Sequence, residues 1–133
     1  MPILRGGCFC GAVRYQVDGT PYYRTLCHCS ICRRTTGAPV VAWFSVPRSG
    51  FRFVNGAPVP FRSSAGATRS FCGTCGSQLI FAADAAPDEL DVALCTLDDP
   101  DALPPEDHTF HADRMRWLHV NDALPRHAGA RPK

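Results

Sequence analysis

The 133-residue sequence lacks several features that would place a protein in a large functional class. It has no apolar run near the roughly 18 residues that a membrane-spanning helix needs. Its charge is almost balanced, with 14 Lys and Arg against 12 Asp and Glu. A net charge of +2 gives no strong field for nucleic acid or anionic membranes, so we expect neither partner. The N-terminal segment lacks the apolar stretch of a secretory signal, which predicts a cytoplasmic protein.

Proline, glycine and cysteine are abundant instead. Twelve Pro and 11 Gly favour many turns and short strands over long helices. Hydrophobic residues make up 45% of the chain, which is enough for the core of one ordinary domain. We expect that domain over residues 1–125, followed by a basic, frayed tail over 126–133. Eight cysteines at short spacings, without an export signal, favour metal ligands over disulfides.

Alternating apolar residues and turn signals predict a mainly β protein. The predicted strands cover residues 8–17, 22–26, 40–46, 51–54, 59–62, 67–71, 78–82 and 90–96. The Asn55-Gly56 pair indicates a hairpin between the fourth and fifth of these strands. Residues 30–35 favour one short helical turn, closed by Gly37. After Asp98, three prolines predict an irregular C-terminal segment.

Two pairs of cysteines predict a structural zinc site. Cys72 and Cys75 form a C-x-x-C element, and the glycine that follows lets the backbone turn toward the sulfurs. Cys8 and Cys10 form C-x-C, which on a strand would place both side chains on one side. The four thiolates would complete a closed tetrahedral site, in which metal binding contributes directly to folding.

Cys27, Cys29 and Cys32 form a third group, C-x-C-x-x-C. Three protein ligands with an open fourth position are typical of catalytic zinc. Three alternatives stay open: disulfides, an iron–sulfur cluster whose usual spacings are not matched, and a second structural zinc completed by His28 or a distant residue. His28 lies between two ligands and should point away from the metal. Cys95, in an apolar strand, is interpreted as a small buried core residue.

The sequence resembles the glutathione-dependent formaldehyde-activating (Gfa) enzymes, which share a domain with centromere protein V. The resemblance is carried in order by GGCFCGAVRY, CHCSICRRTTG, Trp43, FCGTCGSQL, LDD at 97–99 and WLHVNDALP at 117–125. It implies a β-tent, Mss4-like fold of small sheets around zinc. It also implies a structural zinc on Cys8, Cys10, Cys72 and Cys75, a catalytic zinc on Cys27, Cys29 and Cys32, and condensation of formaldehyde with glutathione. Cys95 departs from the pattern, where a small residue such as glycine is expected.

The functional hypothesis is therefore a zinc-dependent carbon–sulfur lyase acting on a small, glutathione-like thiol and an aldehyde. A substrate thiol would fill the open position, lose its proton and attack the carbonyl carbon. Arg33 and Arg34 could hold a substrate carboxylate or offset the charge of the thiolates. His108, His111 and His119 are interpreted singly as loop or surface residues, although one could reach the open zinc. The alternatives are a zinc-stabilised binding module without catalysis and a redox or zinc-storage protein.

Overall fold

The computed structural model describes residues 3–132 and has the predicted mainly β architecture. One α-helix, α1 (Ser30–Thr36), ends at Gly37, which adopts the left-handed conformation with φ of 70°. Four short 3-10 helices lie within the same range. The strands are β1 (Leu4–Gly7), β2 (Arg14–Val17), β3 (Tyr22–Cys27), β4 (Val41–Pro47), β5 (Phe51–Asn55), β6 (Val59–Ser64), β7 (Ala67–Phe71), β8 (Gln78–Ala83), β9 (Glu89–Ala93) and β10 (Asp107–Thr109).

The strands form two sheets. The smaller has the order β1-β2-β5, and the larger has the order β10-β3-β4-β9-β8-β7-β6. Neighbouring strands are antiparallel except β10, which lies parallel to β3. The main core contains side chains of both sheets, including Tyr15 from β2 and Phe44, Leu79 and Val92 from β4, β8 and β9. Among the described residues, no helix is long and apolar enough to cross a membrane.

Strand β4 is buried on both faces, and this double burial positions the candidate site. Phe44 and Val46 belong to the main core. Val41 and Trp43, on the opposite face, pack with two cysteines of the third group in a second, smaller cluster. The continuous apolar run of this segment is explained by the two faces, because a strand covered on both sides has no solvent face to alternate with.

The segment of residues 1–17 differs from its prediction. We predicted a strand over 8–17 after a short lead-in, but β1 comes first and residues 8–13 form the connection between β1 and β2. The strand prediction for Cys8 and Cys10 is therefore wrong. Gly11 takes a φ of 82° and its N–H donates to the Cys8 carbonyl, which closes a turn instead of extending the chain. Gly6 sits in β1 because a Cβ there would lie 2.4 Å from the Tyr15 hydroxyl.

The predicted hairpin at Asn55-Gly56 is also wrong. β5 and β6 belong to different sheets, β5 pairing with β2 and β6 with β7. The Asn55 side-chain amide donates to the carbonyl of Ala12 at 3.3 Å, and Gly56 adopts a φ of 66° against the same carbonyl. The turn therefore fastens the chain to the small sheet and redirects it, because β5 already has a partner strand.

The C-terminal segment is more ordered than its prolines suggested. β10 forms within the part predicted to be irregular, paired with β3. Residues 126–132 run beside it, with a bridge between His108 and Arg126 and a hydrogen bond from the Phe110 N–H to the Gly129 carbonyl. Arg131 also donates to the Asp107 carboxylate at 2.6 Å. The division into 1–125 and 126–133 stays a prediction, and residue 133 lies outside the described range.

Candidate metal centres and active site

The first cysteine cluster joins the two sheets. Cys8 and Cys10 come from the β1–β2 connection, and Cys72 and Cys75 from the β7–β8 turn, with their four sulfur atoms all within 4.8 Å of one another. The Cys10 sulfur lies 3.6 Å from that of Cys8 and 3.8 Å from that of Cys72. Four converging sulfurs are the donor set of a structural zinc site. The structure thus brings together the predicted ligand set, through a turn where we expected a strand.

Backbone N–H groups point at the sulfurs of this cluster. Val13 donates to the Cys8 sulfur at 3.3 Å, and Cys75 donates to the Cys72 sulfur at 3.4 Å. Hydrogen bonds from Ser77 lower the pKa of Cys75 to about 5. Such donors favour the thiolate form that a metal requires. The turn itself depends on Gly76, whose φ is 82°.

The second cysteine cluster lies at the junction of β3 and α1. Cys27 ends β3, Cys29 caps the helix N-terminus by accepting from the Cys32 N–H at 3.2 Å, and Cys32 lies in the first helical turn. The three sulfur atoms are within 4.8 Å of one another, with 3.5 Å between Cys27 and Cys32. The chain changes direction where β3 passes into α1, and this change brings the three sulfur atoms together.

The electrostatics of this cluster favour a bound cation. Hydrogen bonds from Cys27 and Cys32 lower the pKa of Cys29 to about 2, whereas hydrogen bonding to Cys29 raises the pKa of Cys27. Three thiolates this close repel one another unless a positive charge lies between them. Soft sulfur donors suit zinc, so both clusters have the chemistry to hold zinc ions.

The second cluster opens into a cavity of about 450 Å³, a volume in the range of small-molecule sites. Within residues 3–132, none of the residues lining this cavity belongs to the four-cysteine cluster. Its walls carry aromatic and aliphatic side chains, among them Ile31, Trp43, Phe81 and Phe110. A metal held by three cysteines here would therefore face a sheltered space that can admit a substrate.

Arg69 is a site residue that the sequence analysis missed. It lies on β7, is only 5% exposed, and its guanidinium stands 4.9 Å from the Phe81 ring centroid and 5.9 Å from that of Trp43. One terminal nitrogen is 3.5 Å from the Cys32 sulfur, while its Nε has no hydrogen-bond partner among the described residues. The alternation of residues along β7, which leads into the C-x-x-C element, could have indicated that Arg69 is buried.

Arg33 and Arg34 lie on α1 beside Cys32 and are not among the described residues that line the cavity. Arg69 and Arg131 line it instead. The predicted role of Arg33 and Arg34 in holding a substrate carboxylate stays a prediction. Cys95 is exposed, so its interpretation as a core residue is wrong. The reason is that β9 ends at Ala93 and a 3-10 turn follows, which breaks the strand alternation.

His28, His108 and His111 form a group of adjoining rings, and none of the three lines the cysteine cavity. His28 points away from the cysteine cluster, as predicted, and its Nε2 shares a hydrogen bond of 2.8 Å with His108 Nδ1. His108 is fully buried, so its interpretation as a loop or surface residue is wrong; β10 carries it into the interior. Burial, followed by the electrostatic effect of the adjoining His108 ring, lowers the pKa of His28 to about 4.

Comparison with known proteins identifies the family of this chain. The family model of the glutathione-dependent formaldehyde-activating enzymes matches residues 3–113, and the chain belongs to this family. A protein of Halomonas elongata named "Putative glutathione-dependent formaldehyde-activating enzyme" is 30% identical over 128 residues, covering 89% of this chain and 81% of that protein. An uncharacterized lyase of Schizosaccharomyces pombe is 33% identical over 82 residues, which cover 62% of this chain and 59% of that lyase.

A solved structure supports the fold. The crystal structure of a Rhodobacter sphaeroides protein superposes with a TM-score of 0.59 at 24% sequence identity, covering 92% of this chain and 98% of that one. At this level of identity the likeness concerns the arrangement of the strands. The family resemblance inferred from the cysteine motifs is thus confirmed.

Proposed function

We propose that this protein is a zinc-dependent carbon–sulfur lyase, which joins a small thiol of the glutathione type to an aldehyde such as formaldehyde and cleaves the adduct in reverse. The observation that carries this proposal is the three-cysteine cluster, which opens into an apolar cavity while the four-cysteine cluster does not. The family and the names of the relatives support the same class of reaction. A reducing compartment such as the cytoplasm would keep the thiols free.

The residues present fit two zinc ions with different roles. Cys8, Cys10, Cys72 and Cys75 would hold a closed structural ion, and Cys27, Cys29 and Cys32 a catalytic one. Bound at the three-cysteine cluster, zinc supplies a Lewis acid that lowers the pKa of a thiol or water at its fourth position.

Arg69 is the cationic group best placed to act on the reacting atoms. In the condensation, a bond forms between the thiol sulfur and the carbonyl carbon, and the thiol proton ends on the carbonyl oxygen, which carries negative charge on the way. A guanidinium fixed by Phe81 and Trp43 can donate to that oxygen without reorganising, because its stacking already sets its orientation.

Asp91 can exchange the proton. Its side chain lines the cavity and accepts a hydrogen bond of 2.6 Å from the Ser45 hydroxyl. Burial raises its pKa to about 6, so a fraction of the carboxyl is protonated near neutral pH. A group with a pKa close to the working pH is an efficient acid and base, and we assign the return of the proton to the carbonyl oxygen to this carboxyl.

The substrate thiol is expected to place its apolar part against the aromatic wall and its charged ends toward the mouth of the cavity. Arg131 also lines the cavity, stacked on Tyr23 with its guanidinium carbon 4.9 Å from the ring centroid and paired with the Asp107 carboxylate. Arg33 and Arg34, which flank the cluster on α1, are the further candidates for a substrate carboxylate. Replacing Arg33 and Arg34 by Gln should raise KM with little change in kcat if either of them binds it.

The test is an exchange measurement with a panel of thiols and aldehydes. Formation and breakdown of the thiol–aldehyde adduct are followed by magnetisation-transfer NMR, because the uncatalysed reaction is itself rapid and only an exchange rate separates catalysis from background. The zinc-loaded protein should accelerate exchange for at least one pair, and Cys29→Ser should abolish the acceleration. Cys95→Ser is the matched control, since it also removes one thiol but lies outside both clusters.

Exchange at the background rate for every pair, in protein carrying two zinc ions, would contradict the proposal. That result, with the fold intact, would favour the binding module. Ready oxidation of the second cluster with release of its metal would favour the redox or storage alternative.

A further inference from the structure

A second pocket adjoins the group of histidines. Its volume is about 190 Å³, smaller than that of sites for drug-sized molecules and suited to a small ion. Its polar walls come from His28, His111, His119, Arg114 and Arg126, and two aliphatic side chains complete the lining. No described residue that lines it is acidic. The proposed lyase reaction uses none of these side chains.

A chain of hydrogen bonds ends at this pocket. Asp122 accepts from His108 Nε2 at 2.9 Å, because a carboxylate only accepts hydrogen bonds. In neutral His108 the other ring nitrogen, Nδ1, is then an acceptor, so His28 Nε2 donates to it at 2.8 Å. The remaining ring nitrogen of His28, Nδ1, carries a lone pair in this arrangement.

His28 Nδ1 is left without a partner. The side chain is 2% exposed, and within residues 3–132 no protein group hydrogen-bonds this nitrogen. A buried polar atom without a partner costs about 1–3 kcal/mol, so something in the adjoining pocket is expected to satisfy it. A ligand hydroxyl or a bound water that donates to this nitrogen would satisfy it.

The charged side chains around the pocket favour binding of an anion over binding of a cation. Among the described residues, no carboxylate lies within 4 Å of Arg114, whose guanidinium donates to the His111 carbonyl at 3.2 Å. Arg126 donates to three backbone carbonyls and lies 3.1 Å from the Asp122 carboxylate, which offsets its charge. Of the two arginines that line the pocket, Arg114 is therefore the one without a carboxylate partner among the described residues. Burial and then the charge of Arg114 lower the pKa of His111, and the opposing effect of the Asp122 carboxylate is smaller.

We propose that this pocket binds a small oxyanion, a phosphate or carboxylate group, between Arg114, His111 and the free nitrogen of His28. The arginine donates to an anionic oxygen in a charge-assisted hydrogen bond. The free nitrogen of His28 accepts a hydrogen bond from a hydroxyl of the ligand or from a water molecule bound with it. The site is separate from the cysteine cavity, with which it shares no described lining residue.

The test measures binding of inorganic phosphate and of formate to the zinc-loaded protein by equilibrium dialysis at constant ionic strength. A second readout, the long-range 15N–1H spectrum of the histidine rings, should show saturable shifts of His111. We expect a dissociation constant on the order of 1 mM for one of the two anions, as is typical of a few-atom ligand. The anion that saturates identifies the ligand class.

Matched variants locate the binding. Arg114→Gln should weaken it at least about tenfold, the loss expected for one charge-assisted hydrogen bond. Arg116→Gln removes the same charge from an exposed residue two positions along the chain, outside the pocket, and should leave the binding unchanged. Cys29→Ser should also leave it unchanged, because the anion does not bind at the cysteine cluster.

Three results would overturn the proposal. The first is an absence of saturation with both anions, in dialysis and in the histidine spectrum alike. The second is equal binding to the Arg114 and Arg116 variants, which would indicate a general charge effect. The third is loss of binding in Cys29→Ser, which would move the anion to the cysteine cavity. None of them depends on whether the protein is a lyase.

Discussion

Replacing one cysteine in each cluster should separate the two centres by stability and by metal content. The four-cysteine cluster cross-links positions as far apart as Cys10 and Cys72, 62 residues along the chain. The three-cysteine cluster spans 5 residues, from Cys27 to Cys32. If a metal bridge restricts the unfolded chain as a covalent cross-link does, the loss of configurational entropy is worth about 4 kcal/mol for the first span and about 2 kcal/mol for the second.

We therefore expect Cys72→Ser to lower the free energy of unfolding by about 4 kcal/mol or more, and Cys29→Ser by about 2 kcal/mol or less. Small domains have total stabilities of about 5–15 kcal/mol, so the first loss is a large fraction of the whole. Cys72 is also buried, so its replacement would leave the other three thiolates close together without a fully coordinated metal to balance their charge, at a further cost in stability.

The assay combines elemental analysis with urea unfolding, on proteins prepared under reducing conditions. Wild type should carry two zinc ions per chain, and Cys29→Ser one, with the fold retained. Cys95→Ser controls for loss of an exposed thiol and should keep both ions and the wild-type midpoint. Equal destabilisation by Cys72→Ser and Cys29→Ser, or a zinc content that neither substitution changes, would refute the assignment of a structural and a separable second site.

Three further predictions concern substitutions of individual side chains. Leu79→Ala should cost about 2–5 kcal/mol in urea unfolding, because Leu79 is fully buried in the core, whereas Val54→Ala, at a residue 46% exposed, should change little. Asp91→Asn should stabilise the fold by up to about 3 kcal/mol above pH 6, since the raised pKa of Asp91, about 6, penalises its charged form. That gain should fade as the pH falls below 6 and disappear below the unfolded pKa of 3.8, where the native and unfolded carboxyls are both protonated. A gain independent of pH, measured by unfolding across this range, would be inconsistent with it. Arg69→Gln should lower kcat at least about tenfold in the exchange assay while both zinc ions stay bound, and unchanged kcat would remove the guanidinium from the mechanism.

The sequence predicted most strands and both cysteine groups because these depend on local patterns. Alternation, glycine turns and ligand spacing are properties of a few neighbouring residues, and β7, β8 and α1 appear where they were expected. The predicted ligand sets also converge in space. The segment that contains Cys8 and Cys10 was expected to be a strand. It is a turn, because it connects β1 to its antiparallel partner β2.

What escaped prediction depends on contacts between distant segments. The strand pairing of β5 with β2 was hidden because an Asn-Gly pair gives the local signal of a hairpin, whichever strand lies beside it. His108 and Asp122 form a relay with His28 across 80 residues, which no spacing rule detects. Arg69 was overlooked because a lone arginine in a strand has no motif; the alternation of β7 indicates at most that it is buried, and its contacts with two aromatic rings depend on distant strands.

The wide separation of the ligands of the first cluster sets an order on metal capture during synthesis. A ribosome adds about 5–20 residues per second, so roughly 3–12 s pass between the emergence of Cys10 and that of Cys72. Cys27, Cys29 and Cys32 emerge almost together and can take up an ion at once. The four-cysteine cluster would thus be the last to bind its metal. When zinc is scarce, a nascent chain would expose the Cys8–Cys10 turn without its partner cysteines while the three-cysteine cluster already held an ion.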